Sequence, residues 1–318
     1  MKLFSISKSE TVYFKGIAIL LVLLGHFGFV IRGGAFGVNI FMILSGYGCM
    51  ESLDSKGLDN YWKRKSGIYL TYLPFILFQI VFMWIVDARE VLQKLSASVV
   101  SLLGLDLDRN VDPTMWYISF IYLYLLLFWL AAVVAKPLKN KKHRHIVIIL
   151  LMLSVSAVIY YISRDYHFLF HQSSSAFEYT FSFVGGIILS VAGKYELKKW
   201  LVYLLYVPAL IASAVVFVMF YGINGGKYIM IYDFVGAVLF ILLAGLHVCP
   251  LERVIGFLGR SSYEIYLTEG FFLREGIRWS AFLPYSWQRG VLAIAASILI
   301  GWGSHKLAVR NIVKRCKR

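Results

Sequence analysis

The sequence predicts an all-α polytopic membrane protein with about ten transmembrane helices and cytoplasmic N- and C-termini, and three observations carry that prediction. Residues of the AVILMFWYC set fill 59% of the 318 positions and charged residues only 15%, against about 25% charged in soluble domains. The excess lies in apolar runs about 20 residues long, the length a helix needs to cross a hydrocarbon core about 30 Å thick. Basic residues crowd alternate connections between these runs, as the positive-inside rule requires. The formal net charge of +15 does not point to nucleic acid, because a nucleic-acid binder needs a solvated basic face incompatible with this hydropathy. Cys49, Cys249 and Cys316 form neither an even set nor a CxxC pair, so neither a disulfide framework nor a structural zinc site is implied.

The ten runs lie near 13–31, 35–52, 68–86, 114–135, 146–163, 177–192, 200–221, 228–248, 262–282 and 288–307. Leu95–Leu105 is apolar but too short to cross, and reads as an interfacial or re-entrant piece. With the N-terminus placed in the cytoplasm, 23 of the 32 basic residues fall on inner segments and 9 on outer ones. A missed or spurious span would invert every later loop and erase that contrast, so the charge distribution supports the count. It also explains the basic isoelectric point without a polyanionic partner. Lys15 leads straight into the first run and further runs follow, the pattern of an uncleaved first span rather than a signal peptide. No connection is large enough for a soluble domain, so residues 1–318 read as one integral-membrane domain.

His26 falls inside the first run. An ionisable side chain there is costly, about 2.5–3.5 kcal/mol on insertion scales for the charged types, and so invites a functional reading. A neutral histidine bonded to a neighbouring helix is the plain alternative. Lys15 stands eleven residues earlier, within about 20° of the same helical face and about 16 Å below. A surface cation and a deeper imidazole on one face suit a long anionic ligand reaching inward. Tyr61-Trp62-Lys63-Arg64-Lys65 forms a basic cluster at the inner membrane edge, which a topogenic stop signal also explains. Gly37, Gly46 and Gly48 in the second run permit close helix packing. Glu269, in the ninth run, sits about 12 Å past Ser261, near the expected depth of His26. A buried carboxylate needs a partner, and an imidazole supplies one while being oriented in return. The first and ninth helices are therefore expected to meet with Glu269 within hydrogen-bond reach of His26 or of one intervening water; pairing with an arginine such as Arg274, or lining a hydrated cavity, is the alternative. His167 and His171 have no carboxylate closer than Asp165 and Glu178, and read as interfacial residues rather than metal ligands.

Four segments resemble one known family, acyltransferase family 3, the integral-membrane proteins that O-acylate cell-surface glycans. Lys15 through His26 is similar to its Arg/Lys-x10-His motif. Gly37-Val38-Asn39-Ile40-Phe41 to Ser45-Gly46-Tyr47 resembles its GVDxFFxxSGF element. Trp116-Tyr117 resembles its Trp-aromatic motif, and Gly259 to Leu267 its LGxxSYxIYL element. The four occur in the family's order and span essentially the whole chain. Three positions depart from the pattern. Asn39 stands where an acid is usual, Arg64-Lys65-Ser66-Gly67 lacks the second arginine of an RxxR pattern, and Glu269 replaces a frequent histidine.

The resemblance implies transfer of an acyl group, most simply acetyl, from acetyl-CoA or another acyl-CoA to a hydroxyl of a lipid-linked or surface glycan, in a cell (inner or plasma) membrane and without a metal. Lys63, Arg64 and Lys65 would hold the nucleotide phosphates, the pantetheine arm would run along the Lys15 face, and His26 would serve as general base or transient acyl acceptor. A transporter or flippase for a glycan or small anion is the competing class, since ionisable residues at depth and glycine-rich helices fit it too. Paired interrupted helices in two halves would favour it, and the sequence shows no such symmetry.

Overall fold

A computed structural model describes residues 6–30, 33–86, 95–107, 111–112, 114–166, 179–194, 237, 252–279 and 286–316. The described elements are helices: α1 Lys8–His26, α2 Gly33–Lys56, α3 Tyr61–Val86, α4 Leu95–Leu102, α5 Trp116–Ala135, α6 Lys141–Tyr166, α7 Thr180–Ala192, α8 Glu252–Arg260, α9 Ser262–Trp279 and α10 Ser286–Cys316. Six of them, α1, α2, α3, α5, α6 and α10, are long and apolar enough to cross a membrane. They coincide with six of the ten expected runs. The run at 177–192 contains a 13-residue apolar helix, α7. The run at 262–282 is an 18-residue helix, α9, whose Glu264, Glu269, Arg274, Glu275 and Arg278 make it too polar for the same measure. The runs at 200–221 and 228–248 lie outside the described residues, as do His167 and His171. The short apolar stretch is the eight-residue α4, and α8 is a helix the hydropathy alone did not separate.

The first helix differs from its expected bounds in a way that matters. It starts at Lys8, where Ser7 and Glu10 form a capping box: the Glu10 amide donates to Ser7 Oγ and the Ser7 amide to the Glu10 carboxylate. It ends at His26 rather than near residue 31. Phe27 and Gly28 turn back onto the last carbonyls, and Gly28 takes φ +79°, which a residue without Cβ adopts freely. His26 thus terminates a helix instead of sitting within one.

Helix α2 is the central element: 67% of its apolar window is buried, against 17% for α10. It packs on α1 and α7, and α1 packs in turn on α8. Lipid supplies no hydrophobic drive between helices, so close van der Waals approach must do the work, and small residues permit it. A methyl at Gly259 would lie 1.8 Å from Val12 O, and one at Gly16 2.0 Å from Ile255 O, so α1 and α8 touch backbone to backbone. Aromatics fill the α5–α7 side, where Phe120, Tyr124, Phe128 and Phe183 are fully buried. Apolar residues such as Leu77, Phe78, Val81, Trp84 and Ile85 on α3 and Leu299 and Ile300 on α10 remain exposed, an outward face matched to hydrocarbon.

Polar side chains cross-link the helices. Tyr61 donates to Leu125 O (3.0 Å), Tyr69 to Leu102 O (2.9 Å) and Tyr263 to Ile68 O (2.9 Å), while Tyr72 donates to Ser101 O and Tyr266 to Thr114 O. Asn39 does the same between α2 and α7: its amide donates to Ala35 O at 3.0 Å and its carbonyl accepts from Ser182. Where the family pattern has an acid, this chain has a buried interhelical bond. At one end of α2, Asp54 gathers His145 of α6 (2.9 Å), Lys141 (3.5 Å) and Lys194, and Lys194 also reaches Glu51 (3.2 Å).

Candidate active site

His26 and Glu269 meet. Nδ1 of His26 lies 2.7 Å from Oε1 of Glu269, joining the C-terminus of α1 to the middle of α9. Glu269 is fully buried and the His26 side chain is 30% exposed, so the carboxylate is sealed behind an imidazole that remains accessible. The last carbonyls of α1 favour positive charge at this end, and an adjacent carboxylate does so more strongly. The Nε2 edge lies beside Gly34 at the start of α2, where a methyl would come within 3.3 Å of it. Oε2 of Glu269 makes no hydrogen bond among the described residues.

One turn away on α9, a cavity of about 290 Å³ opens between α1, α2, α3, α5 and α9. Phe41, Ile68, Tyr117, Ile121, Tyr263 and Tyr266 give it a mainly apolar wall, and Lys15 is the cation that lines it. Tyr117 stands edge-on to Tyr266, centroids 5.4 Å apart, at the side nearer Glu269. Lys65 and Glu264 are the charged groups acting on Lys15, and Glu264 is bonded to His305 of α10 at 2.8 Å. Lys15 lines this cavity, whereas His26 and Glu269 stand beyond its wall, past Tyr266 on α9.

The rest of the basic cluster is arranged otherwise. Arg64 points back to the α2–α3 connection, donating to Gly57 O at 2.8 Å and to Asp59 O, so its guanidinium closes a loop. Lys65 donates to Cys49 Sγ at 3.4 Å and lies 5.7 Å from the centre of the Tyr61 ring. Lys63 is exposed. None of the three lines the cavity; Gly67, next on α3, does.

Asp112, in the connection ahead of α5, stands against this site. It is fully buried, and its Oδ1 accepts from the Thr114 amide and hydroxyl, both at 2.7 Å. Its carboxylate packs on Gly270, the residue after Glu269. Burial pushes its carboxyl up, opposed by the Thr114 bonds. Asp-x-Thr ahead of an aromatic helix start is the one local signal for it, an Asx-type turn. No cluster of three or more His, Cys, Asp or Glu able to hold a metal occurs among the described residues.

Comparison with known proteins agrees with the sequence motifs. No curated protein and no solved structure matches the chain. A sequence model of the acyltransferase domain family matches residues 13–305, from just before Lys15 to His305 and so across every side chain of the candidate site. The chain accordingly belongs to acyltransferase family 3, a family of membrane acyltransferases.

Proposed function

We propose that this protein moves an acyl group, acetyl in its simplest form, from acyl-CoA at the cytoplasmic face to a hydroxyl of a cell-surface or lipid-linked glycan. The observation that carries the proposal is the His26–Glu269 pair set one turn beyond a cavity that Lys15 lines. The whole chain acts as one domain.

The thioester arm of the donor extends past Lys15 between Tyr117, Tyr263 and Tyr266, with its phosphates toward Lys63 and Lys65. Lys15 holds an anionic group near the entrance, since a partly buried cation binds phosphate more strongly than an exposed one. Glu269 fixes the ring of His26 through Nδ1, so proton transfer falls to Nε2. The imidazole takes the proton of the acceptor hydroxyl as its oxygen attacks the thioester carbonyl. The imidazolium, stabilised by Glu269, returns that proton to the departing thiolate as the tetrahedral intermediate collapses. The same geometry serves a two-step route in which Nε2 is acylated first.

Mass spectrometry of surface glycans from cells with and without the protein tests this. Acylated glycan present only with the wild-type protein, and lost with a correctly inserted His26→Ala variant, is expected. Identical glycans in all three strains would refute the proposal.

A further inference from the structure

The connection ahead of α5 presses on α9 at two positions that bracket Glu269. Tyr266 donates its hydroxyl to Thr114 O. One turn further, a methyl added at Gly270 would fall 2.1 Å from Asp112 Oδ1 and 2.2 Å from Oδ2, so the carboxylate occupies the place of a side chain on the glycine. Asp112 is itself held rigidly, because Oδ1 accepts from both the amide and the hydroxyl of Thr114. The segment behind it is tied down as well: Asp106 accepts from Ser101 Oγ at 2.6 Å and from the Val111 amide at 3.2 Å. A fully buried acid is costly beside apolar packing, and the Thr114 bonds alone could be made by a smaller polar residue. The carboxyl also meets Gln79 of α3 and the Met115 amide, and toward α9 what it supplies is its fit against Gly270.

We propose that Asp112 is a positioning residue for the His26–Glu269 pair, locking the rotation and height of α9 through Gly270 so that Glu269 reaches Nδ1 of His26. A hydrogen bond of 2.7 Å tolerates little displacement, and a misplacement of about 1 Å at a reacting group costs on the order of 10²-fold in rate. Tyr266 and Gly270 sit three residues before and one residue after Glu269, so together they fix the turn that carries it. The catalytic consequence rests on the function proposed above; the contact itself does not.

The test uses Asp112→Ala, Asp112→Asn, Gly270→Ala and the double variant Asp112→Ala/Gly270→Ala in the full chain. Acetyl-CoA binding and melting temperature are measured in detergent, and the rate of acetyl transfer at saturating acetyl-CoA in membrane vesicles. Asp112→Ala and Gly270→Ala should each lower the maximal rate on the order of 10²-fold without changing acetyl-CoA binding, because the cavity lies on the other side of Tyr266. Asp112→Asn should retain most of the rate, since its Oδ1 still accepts from Thr114 and its shape still fits Gly270. The double variant should be no worse than Asp112→Ala, because the new methyl enters the space the carboxyl leaves. Full rate in Asp112→Ala, or a loss in Asp112→Asn as large as in Asp112→Ala, would overturn the proposal. So would melting-temperature shifts of the two single variants that simply add in the double. A wild-type protein that transfers nothing from acetyl-CoA would instead remove the proposed function; the melting-temperature cycle would still decide the contact, non-additivity supporting it and additivity overturning it.

Discussion

At the scale of single residues, the proposed reaction is concentrated in an imidazole whose partner is a buried carboxylate. His26→Ala should lower acyl transfer by about 10²–10⁴-fold, the usual contribution of a positioned acid–base group, while membrane insertion stays near wild type. Glu269→Gln keeps an oxygen for Nδ1 but not the charge that supports the imidazolium, so a smaller loss, about tenfold or more, is expected. An undiminished rate in that variant would show that orientation alone suffices. The basic cluster separates into unlike members. Arg64→Ala strands Gly57 O and Asp59 O, and should cost about 1–3 kcal/mol of stability by denaturation in detergent. Lys63→Ala touches no such bond, and should weaken acyl-CoA binding while leaving stability unchanged. If Lys63→Ala leaves donor affinity intact in a correctly oriented protein, the cluster is topogenic.

At the scale of helices, glycines decide how α1 sits. Gly259 gives α8 its contact with the backbone of α1 at Val12 and Gly16, about three to four helical turns from the end where His26 is displayed. Gly259→Ala forces the two helices apart and should cost about 1–3 kcal/mol, with a fall in transfer rate that a distant lipid-facing Gly48→Ala, whose methyl meets nothing within 4 Å, does not share. Melting curves of the two variants in detergent make the comparison. The Asp54 cluster ties α2, α6 and the end of α7 in the same plane. Asp54 is almost fully enclosed, so Asp54→Ala leaves His145 and Lys194 without their shared partner. It should destabilise the protein by about 3–5 kcal/mol, more than loss of the half-exposed Lys141.

At the scale of the whole molecule, orientation decides which face would meet the acyl-CoA of the proposed reaction. The charge asymmetry expects both ends in the cytoplasm, so reporter tags joined at Met1 and at Arg318 should both show cytoplasmic activity. Tags that report opposite sides would mean an odd number of spans, and a Met1 tag that reports the outer side would break the assignment of Lys15 to the inner face.

Much of this was legible from residues alone. Hydropathy marks a span because a backbone in lipid must satisfy its own hydrogen bonds and an apolar run gains by entering, so α1, α2, α3, α5, α6 and α10 could be read directly. The register of Lys15 with His26 follows from 3.6 residues per turn, and the need of Glu269 for a partner follows from the cost of a buried charge; the His26–Glu269 bond satisfies both. The end of α1 was not legible, because apolar residues continue past His26 and only the turn at Gly28 stops the helix. The run at 262–282 marked α9, although Glu264, Glu269, Arg274, Glu275 and Arg278 lower its apolar score. The separate fates of Lys63, Arg64 and Lys65 depend on loop carbonyls and on Cys49, partners that no spacing encodes. Asp112 was beyond sequence for the strongest reason. Its meaning lies in a contact with Gly270, 158 positions away, and a long-range contact leaves no mark on the local pattern of either residue. Local periodicity and charge determined the helices, their membrane setting and the histidine; only tertiary packing, which chooses partners by shape, decided what surrounds them.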